Sequence, residues 1–230
     1  MKSIIIIPAR MQSVRLPGKP MLDIGGHPLV RRTAEQARLT GADAVLVVSP
    51  DKIICRYCQD NGIPWMASPD DIPSGTARCA EVYRRLKDEY DVVVNWQVDE
   101  PCVAATAVDS LIDLAADEEW DAATLCGPLP KAERDNENTV KAVIDEDGRI
   151  MWFSRKNLEG SVGHCGIYAF GADELLFIED GMQPSRLSKI ASLEQLTWIE
   201  NRYAIGAWHL GELPPSVDTP EDLEKVRAAI

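Results

Sequence analysis

The sequence lacks several features that would assign a function directly. No apolar run approaches the ~20 residues that a membrane span needs. The run Ile4 to Ile7 is too short for a signal peptide, since Pro8 and Arg10 follow at once. With 37 Asp and Glu against 24 Lys and Arg, the chain also lacks the basic surface of a nucleic-acid-binding protein. We therefore expect no membrane span and no nucleic-acid partner.

Histidine and paired cysteine motifs are scarce as well. The chain has three histidines, and Cys55 and Cys58 form a single CxxC without the second pair or spaced histidines of a zinc site. The six cysteines are scattered through a mid-sized chain, which favours the reduced thiols of a cytosolic protein over a disulfide framework. We interpret Cys55 and Cys58 as small apolar side chains on a helix, with a redox or metal role as the alternative.

Strand and helix patterns alternate through the first half of the chain. “SIIIIPA”, “DAVLVVSP” and “DVVVNWQV” are apolar, β-branched runs typical of strands buried on both faces. Segments between them, such as “HPLVRRTAEQARLTG” and “SGTARCAEVYRRLKDEY”, have apolar residues at helical spacing. This order predicts an α/β fold in which a mostly parallel sheet has helices on both faces.

The pattern becomes rich in strands after about residue 120. “AVIDEDGRIMWF” places an Asp-Gly turn between alternating apolar runs and predicts a hairpin. “TPEDLEKVRAAI” predicts a closing helix with Thr219 as its N-cap. We expect one α/β unit with a mixed sheet and an inserted β-rich lobe.

The loop after the first strand is basic although the chain has a net charge of -13. Arg10, Arg15 and Lys19 are spaced along it, and no acidic residue precedes Asp23. Ligands of open α/β sheets bind beyond the carboxyl ends of the strands, and Arg and Lys suit phosphate groups. The loop therefore predicts a triphosphate site, with solvated surface charge as the alternative. It matches neither the Walker pattern GxxxxGK[ST] nor GxGxxG.

A series of motifs in this order resembles the Kdo (3-deoxy-manno-octulosonate) cytidylyltransferase, or CMP-Kdo synthetase, family. The opening block is “IPARMQSVRLPGKPMLDIGGHPLV”. The further blocks are “SPDDIPSGTAR”, “VVVNWQVDEP”, “NTVKAVIDEDGRIMWFSR”, “HCGIYAF”, “SLEQLTWIEN” and “VDTPEDLEKVR”. The resemblance covers almost the whole chain. The opening block alone would not separate this family from other nucleotidyltransferases.

The resemblance implies an enzyme with a Rossmann-like nucleotidyltransferase fold. The reaction would be CTP plus Kdo giving CMP-Kdo and diphosphate, with Mg²⁺ as cofactor, for lipopolysaccharide or capsule synthesis. A homodimer in the bacterial cytoplasm is also implied. The expected organisation is a single domain over residues 1–230. Its nucleotide-binding part would be about 1–120 plus the C-terminal helix, and its sugar-binding and dimerisation lobe about 121–210.

The resemblance also assigns site residues. The catalytic set would be Arg10, Arg15, Lys19 and Asp99, and the metal ligands would be Asp99 and Asp218. The nucleotide would contact Pro8, Ala9, Arg10, Arg15, Lys19, Ser74, Gly75, Thr76 and Arg78. The sugar acid would contact Gln97, Arg155, His164, Tyr168, Glu194 and Gln195. Taken without the resemblance, an Asp after a strand is more often a turn or cap residue, and a lone His is more often structural.

The sequence departs from the family pattern mainly near the expected sugar site. Ala77 replaces the Asp of SGTDR, and Val98 replaces the Gly of QGDEP. The stretch 156–163 is short, and residues 169–171 lack the usual Arg. Three alternatives to Kdo activation stay open: another ulosonic acid such as 8-amino-Kdo, a degenerate nucleotide-binding homologue, or a glycosyltransferase. The glycosyltransferase is disfavoured because “NWQVDEP” has Asp-Glu instead of Asp-x-Asp.

Overall fold

The computed structural model describes residues 1–13, 15–86, 89–181 and 183–229, without the side chains of 179–181. Its strands are β1 (Ser3–Pro8), β2 (Asp23–Ile24), β3 (His27–Pro28), β4 (Ala44–Ser49), β5 (Trp65–Ala67), β6 (Val92–Trp96), β7 (Ala122–Gly127), β8 (Lys141–Ile144), β9 (Ile150–Ser154), β10 (Val162–Gly171) and β11 (Ile205–His209). Its helices are α1 (Leu29–Ala37), α2 (Lys52–Asp60), α3 (Gly75–Leu86), α4 (Ala105–Ala115), α5 (Ala172–Gly181), α6 (Arg186–Ala191), α7 (Gln195–Glu200) and α8 (Pro220–Ala229). Two compact units result, Met1–Asp109 with Pro214–Ile230, and Ser110–Leu213.

The first unit is built on parallel strands in the order β6-β1-β4-β5. β1 is central, and Ile4 pairs with Ala44 on one side and Val93 on the other. The four isoleucines of β1 are no more than 2% exposed, as expected for a strand covered on both faces. The strands predicted from the three apolar runs are thus confirmed. Their parallel arrangement brings the carboxyl ends of β1, β4 and β6 to the same edge.

Helices α1, α2 and α3 pack against the strands of this unit. Helix α1 spans Leu29–Ala37 and lies within a segment whose apolar spacing predicted a helix. Cys55 and Cys58 are buried, unbridged residues of α2, which confirms their interpretation as apolar side chains. Burial raises the pKa of the Cys58 thiol to about 11, so that this thiol is protonated near neutral pH.

The second unit is a mixed sheet. β7 runs parallel to β11 and antiparallel to β10, while β8 pairs antiparallel with β9 and β10. The predicted hairpin is β8–β9. Its turn is fixed by Asp145, whose Oδ1 accepts hydrogen bonds from the backbone N–H groups of Asp147 and Arg149, and by Gly148 at φ 86°. Sequence analysis did not anticipate α4, α5 or α6.

The predicted fold class, α/β with a mostly parallel mixed sheet and flanking helices, is confirmed. The predicted extents of the nucleotide-binding part and the β-rich lobe stay predictions. Within the described residues, no helix combines the length and the apolar character needed to cross a membrane.

Candidate active site

The basic loop begins at the carboxyl end of β1 and is anchored to the end of β4 and to the residue before α2. The Ala9 N–H donates to Val48 O at 2.9 Å, and the Met11 N–H donates to Asp51 Oδ2 at 2.7 Å. The loop closes on itself where the Gly18 N–H donates to Met11 O at 3.0 Å. Gly18 has φ 72°, a left-handed conformation that glycine adopts without steric cost. These contacts fix the backbone from which Lys19 points inward; Val14 lies outside the described residues.

Lys19 holds the two predicted metal-binding carboxylates together. Its Nζ donates to Asp99 Oδ2 at 2.6 Å and to Asp218 Oδ1 at 3.1 Å. The guanidinium of Arg15 donates to the same Asp218 oxygen at 2.8 Å. Two cations and two carboxylates, all from the first unit, therefore form one balanced cluster. Asp99 and Asp218 lie close together, as two ligands of one metal ion must. Their metal role stays a prediction.

A backbone hydrogen bond explains why the two carboxylates meet. Asp99 lies in the turn after β6, where the Glu100 N–H donates to Gln97 O at 3.1 Å. The Val217 N–H donates to Asp99 O at 2.9 Å, which places the next residue, Asp218, beside this turn. Thr219 then caps α8 and fixes the direction in which the chain leaves the cluster.

The predicted N-cap of α8 is confirmed as a reciprocal cap. Thr219 Oγ1 accepts from the Asp222 N–H at 3.2 Å, and Asp222 Oδ2 accepts from the Thr219 N–H at 3.1 Å. Burial alone would raise the pKa of Asp222, but hydrogen bonds from Lys225 and Thr219 lower it below its usual value.

The Lys19 ammonium is well removed from solvent. Its side chain is 11% exposed, against 25% for Asp99 and 19% for Asp218. Burial disfavours the charged amine, but the carboxylates of Asp99 and Asp218 outweigh burial and raise the pKa of Lys19 above its usual value. Lys19 is therefore a permanent cation in this cluster. Among the described residues, no group of three or more His, Cys, Asp and Glu side chains is placed to hold a metal ion.

The predicted nucleotide residues Ser74, Gly75 and Thr76 form the start of α3. Ser74 Oγ accepts from the Ala77 N–H at 3.1 Å, and Thr76 is fully buried. A Cβ added to Gly75 would lie 2.5 Å from Gln97 Nε2, so the absence of a side chain lets the Gln97 carboxamide approach the helix start. The SGT turn and Gln97 are thereby brought together within the first unit.

Arg78 is buried beneath a neighbouring loop. Its guanidinium donates to Ser68 Oγ, to Pro69 O at 2.6 Å and to Ile72 O at 3.4 Å. Burial lowers the pKa of Arg78, and the nearby positive charge of Arg10 lowers it further. The observed contacts hold the loop 68–72, and the predicted contact of Arg78 with a nucleotide stays a prediction.

Four of the predicted sugar-site residues lie together in the second unit. Tyr168 and Gln195 are hydrogen-bonded, and the Tyr168 pKa is raised, first by burial and then by the negative charge of Glu194. The rings of His164 and Tyr168 are 5.3 Å apart. All but Glu194 are buried.

His164 is a neutral side chain held by the sheet. Thr124 Oγ1 donates to Ile167 O at 2.8 Å, so its oxygen accepts from His164 Nε2–H at 3.0 Å. Burial lowers the pKa of His164 to about 3. A base this weak is poorly matched to proton abstraction near neutral pH.

Arg155 lies at the end of β9, and its guanidinium contacts three backbone carbonyls. It donates to Glu137 O at 3.1 Å, Ser192 O at 3.2 Å and Ala191 O at 3.4 Å. These bonds join the segments around residues 137 and 191–192. The predicted role of Arg155 in binding a carboxylate stays a prediction.

Val98 is accommodated in the turn where the family pattern has glycine. Its side chain is 7% exposed, and its carbonyl accepts from Thr33 Oγ1 at 2.7 Å. Among described residues other than glycine, positive φ occurs only at Ser192 and Arg202. The backbone at Val98 thus needs no glycine, and its β-branched side chain contributes to the core. Thr33 was missed because no local pattern connects α1 to this turn.

Comparison with known proteins shows the family of this chain. The family model described as Cytidylyltransferase matches residues 4–205. A 3-deoxy-manno-octulosonate cytidylyltransferase of Photobacterium profundum is 40% identical over 248 residues, covering 98% of each protein. That of Polynucleobacter necessarius subsp. necessarius is 37% identical over 239 residues, covering 97% of this chain and 94% of the relative.

A solved structure of high similarity is CMP:2-keto-3-deoxy-manno-octonic acid synthetase complexed with CTP. It is 34% identical with a TM-score of 0.90, and the match covers 100% of this chain and 98% of that one. The resemblance found in the sequence motifs is confirmed: the chain belongs to the cytidylyltransferase family, within the group of 3-deoxy-manno-octulosonate cytidylyltransferases.

Proposed function

We propose that the protein transfers CMP from CTP to Kdo, giving CMP-Kdo and diphosphate. The observation that carries this proposal is the cluster of Lys19, Asp99, Asp218 and Arg15 at the carboxyl edge of a parallel sheet. A cation-rich loop next to paired carboxylates suits a magnesium–triphosphate substrate. The names of relatives that are 37–40% identical over nearly the full chain support Kdo as the acceptor.

Asp99 and Asp218 are the residues that would hold Mg²⁺. The ion prefers oxygen ligands and is commonly held by one or two carboxylates together with substrate phosphates, so this pair fits it. When bound, Mg²⁺ supplies charge neutralisation at the phosphate oxygens. Since Lys19 and Arg15 already contact these carboxylates, nucleotide binding would exchange partners: the two cations turn to phosphates and release carboxylate oxygens.

In the proposed reaction the protein positions the two substrates and neutralises the negative charge of the phosphates. A sugar hydroxyl attacks the α-phosphorus of CTP, the bond to the β-phosphate oxygen breaks, and diphosphate leaves. Arg10, Arg15 and Lys19 would bind the phosphates and stabilise the negative charge that builds on them. The Ser74–Gly75–Thr76 turn would add hydroxyl and N–H donors. His164, as a neutral side chain, would orient the sugar acid or the residues that surround His164.

The acceptor side of the proposal depends on residues that stay predictions. Gln97, Arg155, Tyr168, Glu194 and Gln195 offer amide, guanidinium, hydroxyl and carboxylate groups, which suit a polyhydroxylated carboxylic acid. The departures near this set favour one second candidate, the same transfer to another ulosonic acid such as 8-amino-Kdo. A homodimer acting in the cytoplasm for lipopolysaccharide or capsule synthesis is proposed with it.

Diphosphate release tests the proposal. The protein is given CTP and Mg²⁺ with Kdo, 8-amino-Kdo or sialic acid, and each assay is repeated with Asp99→Asn. The control is Asp60→Asn, whose carboxylate is 64% exposed on α2. Release with Kdo that is lost only in Asp99→Asn supports the proposal. Release with another acid alone transfers it to that substrate, and no release despite CTP binding rejects turnover.

A further inference from the structure

One buried polar side chain of the first unit has no role in the site described above. Asn95 is fully buried in β6, a strand otherwise made of Val92, Val93, Val94 and Trp96. An amide placed among apolar side chains is costly unless its polar atoms are hydrogen-bonded. The partners of Asn95 therefore indicate why the strand contains it.

Both ends of the Asn95 amide contact predicted substrate-binding residues. Asn95 Oδ1 accepts from Gln97 Nε2 at 2.7 Å, and Asn95 Nδ2 donates to Thr76 Oγ1 at 3.2 Å. The second bond is buried, and Thr76 is 0% exposed. The resulting chain of side chains runs from the SGT turn of α3 through β6 to Gln97.

The contact with Gly75 constrains Gln97 from a second direction. A Cβ at Gly75 would lie 2.5 Å from Gln97 Nε2 and 3.2 Å from Oε1, so the carboxamide rests against a backbone without a side chain. One of the two N–H groups of Gln97 Nε2 donates to Asn95, and this hydrogen bond restricts the rotation of the carboxamide. Its remaining N–H and its oxygen are then held in one orientation.

We propose that Asn95 is a positioning residue that fixes the Gln97 carboxamide and couples its orientation to Thr76. This inference rests on the proposed function, in which Gln97 contacts the sugar acid. Asn95 acts on the reaction through Gln97 and touches no substrate itself. Loss of the Asn95 amide therefore weakens use of the sugar acid more than use of CTP.

A double-mutant cycle tests the inference with the full-length protein. KM and kcat are measured for Kdo and CTP in the wild type, Asn95→Ala, Gln97→Ala and the double variant. Asn95→Ala should lower kcat/KM for Kdo about 3- to 10-fold, as expected for one lost hydrogen bond. In the Gln97→Ala background the same change should have less than about a 2-fold effect, because contacting residues are coupled.

The control is Tyr83→Phe. Tyr83 is 1% exposed on α3, the helix that contains Thr76, and its hydroxyl donates to Tyr90 O at 2.6 Å, so this variant also loses a partly buried side-chain hydrogen bond. It should destabilise the protein without changing kcat/KM for Kdo. Equal effects of Asn95→Ala in both backgrounds would overturn the inference while leaving the proposed function intact.

A second measurement tests the inference without turnover. Absence of turnover with any sugar acid would reject the proposed function, but it would leave this measurement valid. The ¹⁵N-labelled protein is used to follow the side-chain NH₂ signals of Gln97. They should be protected from exchange in the wild type and in Tyr83→Phe, and become solvent-like in Asn95→Ala. Unchanged Gln97 signals in Asn95→Ala would refute the positioning role.

Discussion

Lys19 Nζ lies 2.6 Å from Asp99 Oδ2, so an ammonium group occupies the space beside a predicted metal ligand. The same nitrogen is 3.1 Å from Asp218 Oδ1. A cation of the protein thus keeps the two carboxylates together and, with Arg15, balances their charge. A metal ion entering this space must compete with Lys19 unless a phosphate draws the lysine away.

Replacing Lys19 should let a metal ion bind without nucleotide. Lys19→Met removes the competing charge, and we expect affinity for Mn²⁺ alone to rise about 10-fold, corresponding to ~1.4 kcal/mol. Electron paramagnetic resonance of free Mn²⁺ measures this binding. Lys52→Met, at the exposed start of α2, is the control and should match the wild type. Equal Mn²⁺ affinity in all three proteins would contradict the competition.

Lys19→Met should also lower turnover, because the same side chain would neutralise a phosphate in the reaction. We expect kcat to fall at least about 100-fold, the size of effect seen when one charge-stabilising group is removed. Steady-state diphosphate release measures the loss. A variant with near-normal kcat would show that Lys19 acts only on the free protein.

Gly75→Ala should lower activity while the fold is retained. The added Cβ would meet Gln97 Nε2 at 2.5 Å, and Gln97 can rotate away, so the cost falls on its orientation. We expect kcat/KM for the sugar acid to fall about 10-fold and the unfolding free energy to fall by about 1–2 kcal/mol, because the buried Asn95 Oδ1 loses its hydrogen bond from Gln97. Kinetics and urea unfolding separate the two effects. Ala77→Gly, at a half-buried position of α3, is the control for a change in backbone flexibility near Gly75. Gly62→Ala is not used, because Gly62 has φ 64° and an alanine there would be strained.

His164 should make the protein less stable in acid. Its pKa is about 3 in the folded protein against an ordinary value of 6.5, so the unfolded chain binds the extra proton between these values. Stability is therefore complete above pH 6.5 and is lost as the pH falls toward 3, by up to ~1.4 kcal/mol per pH unit from this group.

The pH effect is measured by urea unfolding of the wild type and His164→Gln between pH 7 and pH 4.5. The amide of glutamine carries no titrating proton, so the variant should lose less stability over this interval. His209→Gln serves as the control because His209 is exposed on β11. Parallel curves for wild type and His164→Gln would refute the assignment.

Thr219 should stabilise α8 through its reciprocal cap with Asp222. Thr219→Ala removes the hydroxyl that accepts from the Asp222 N–H, and we expect a loss of about 1 kcal/mol in unfolding free energy. Thr219→Ser keeps the hydroxyl and should retain most of the stability. Thermal unfolding of the three proteins measures the difference, and equal loss in both variants would exclude the hydroxyl as its cause.

Continuous apolar runs predicted the central strands because burial on both faces leaves a simple pattern in the sequence. Helices α4, α5 and α6 were missed, because each follows a segment whose sequence pattern was interpreted as a strand or a loop. Asp99 and Asp218 were assigned by motif resemblance. Their bonds to Lys19 could not be predicted. Asp99 follows Lys19 by 80 positions and Asp218 follows it by 199, so these side chains meet only after folding. Asn95 did leave a signal, a lone amide within an apolar strand.

The late position of Asp218 in the chain has a consequence for synthesis on the ribosome. The basic loop and Asp99 emerge early, but the second carboxylate of the cluster is made 199 residues after Lys19. A nascent chain that ends before residue 218 contains the strands of the first sheet without the paired carboxylates. The cluster of Lys19, Asp99 and Asp218 can therefore form only after Ser110–Leu213 has been translated in full.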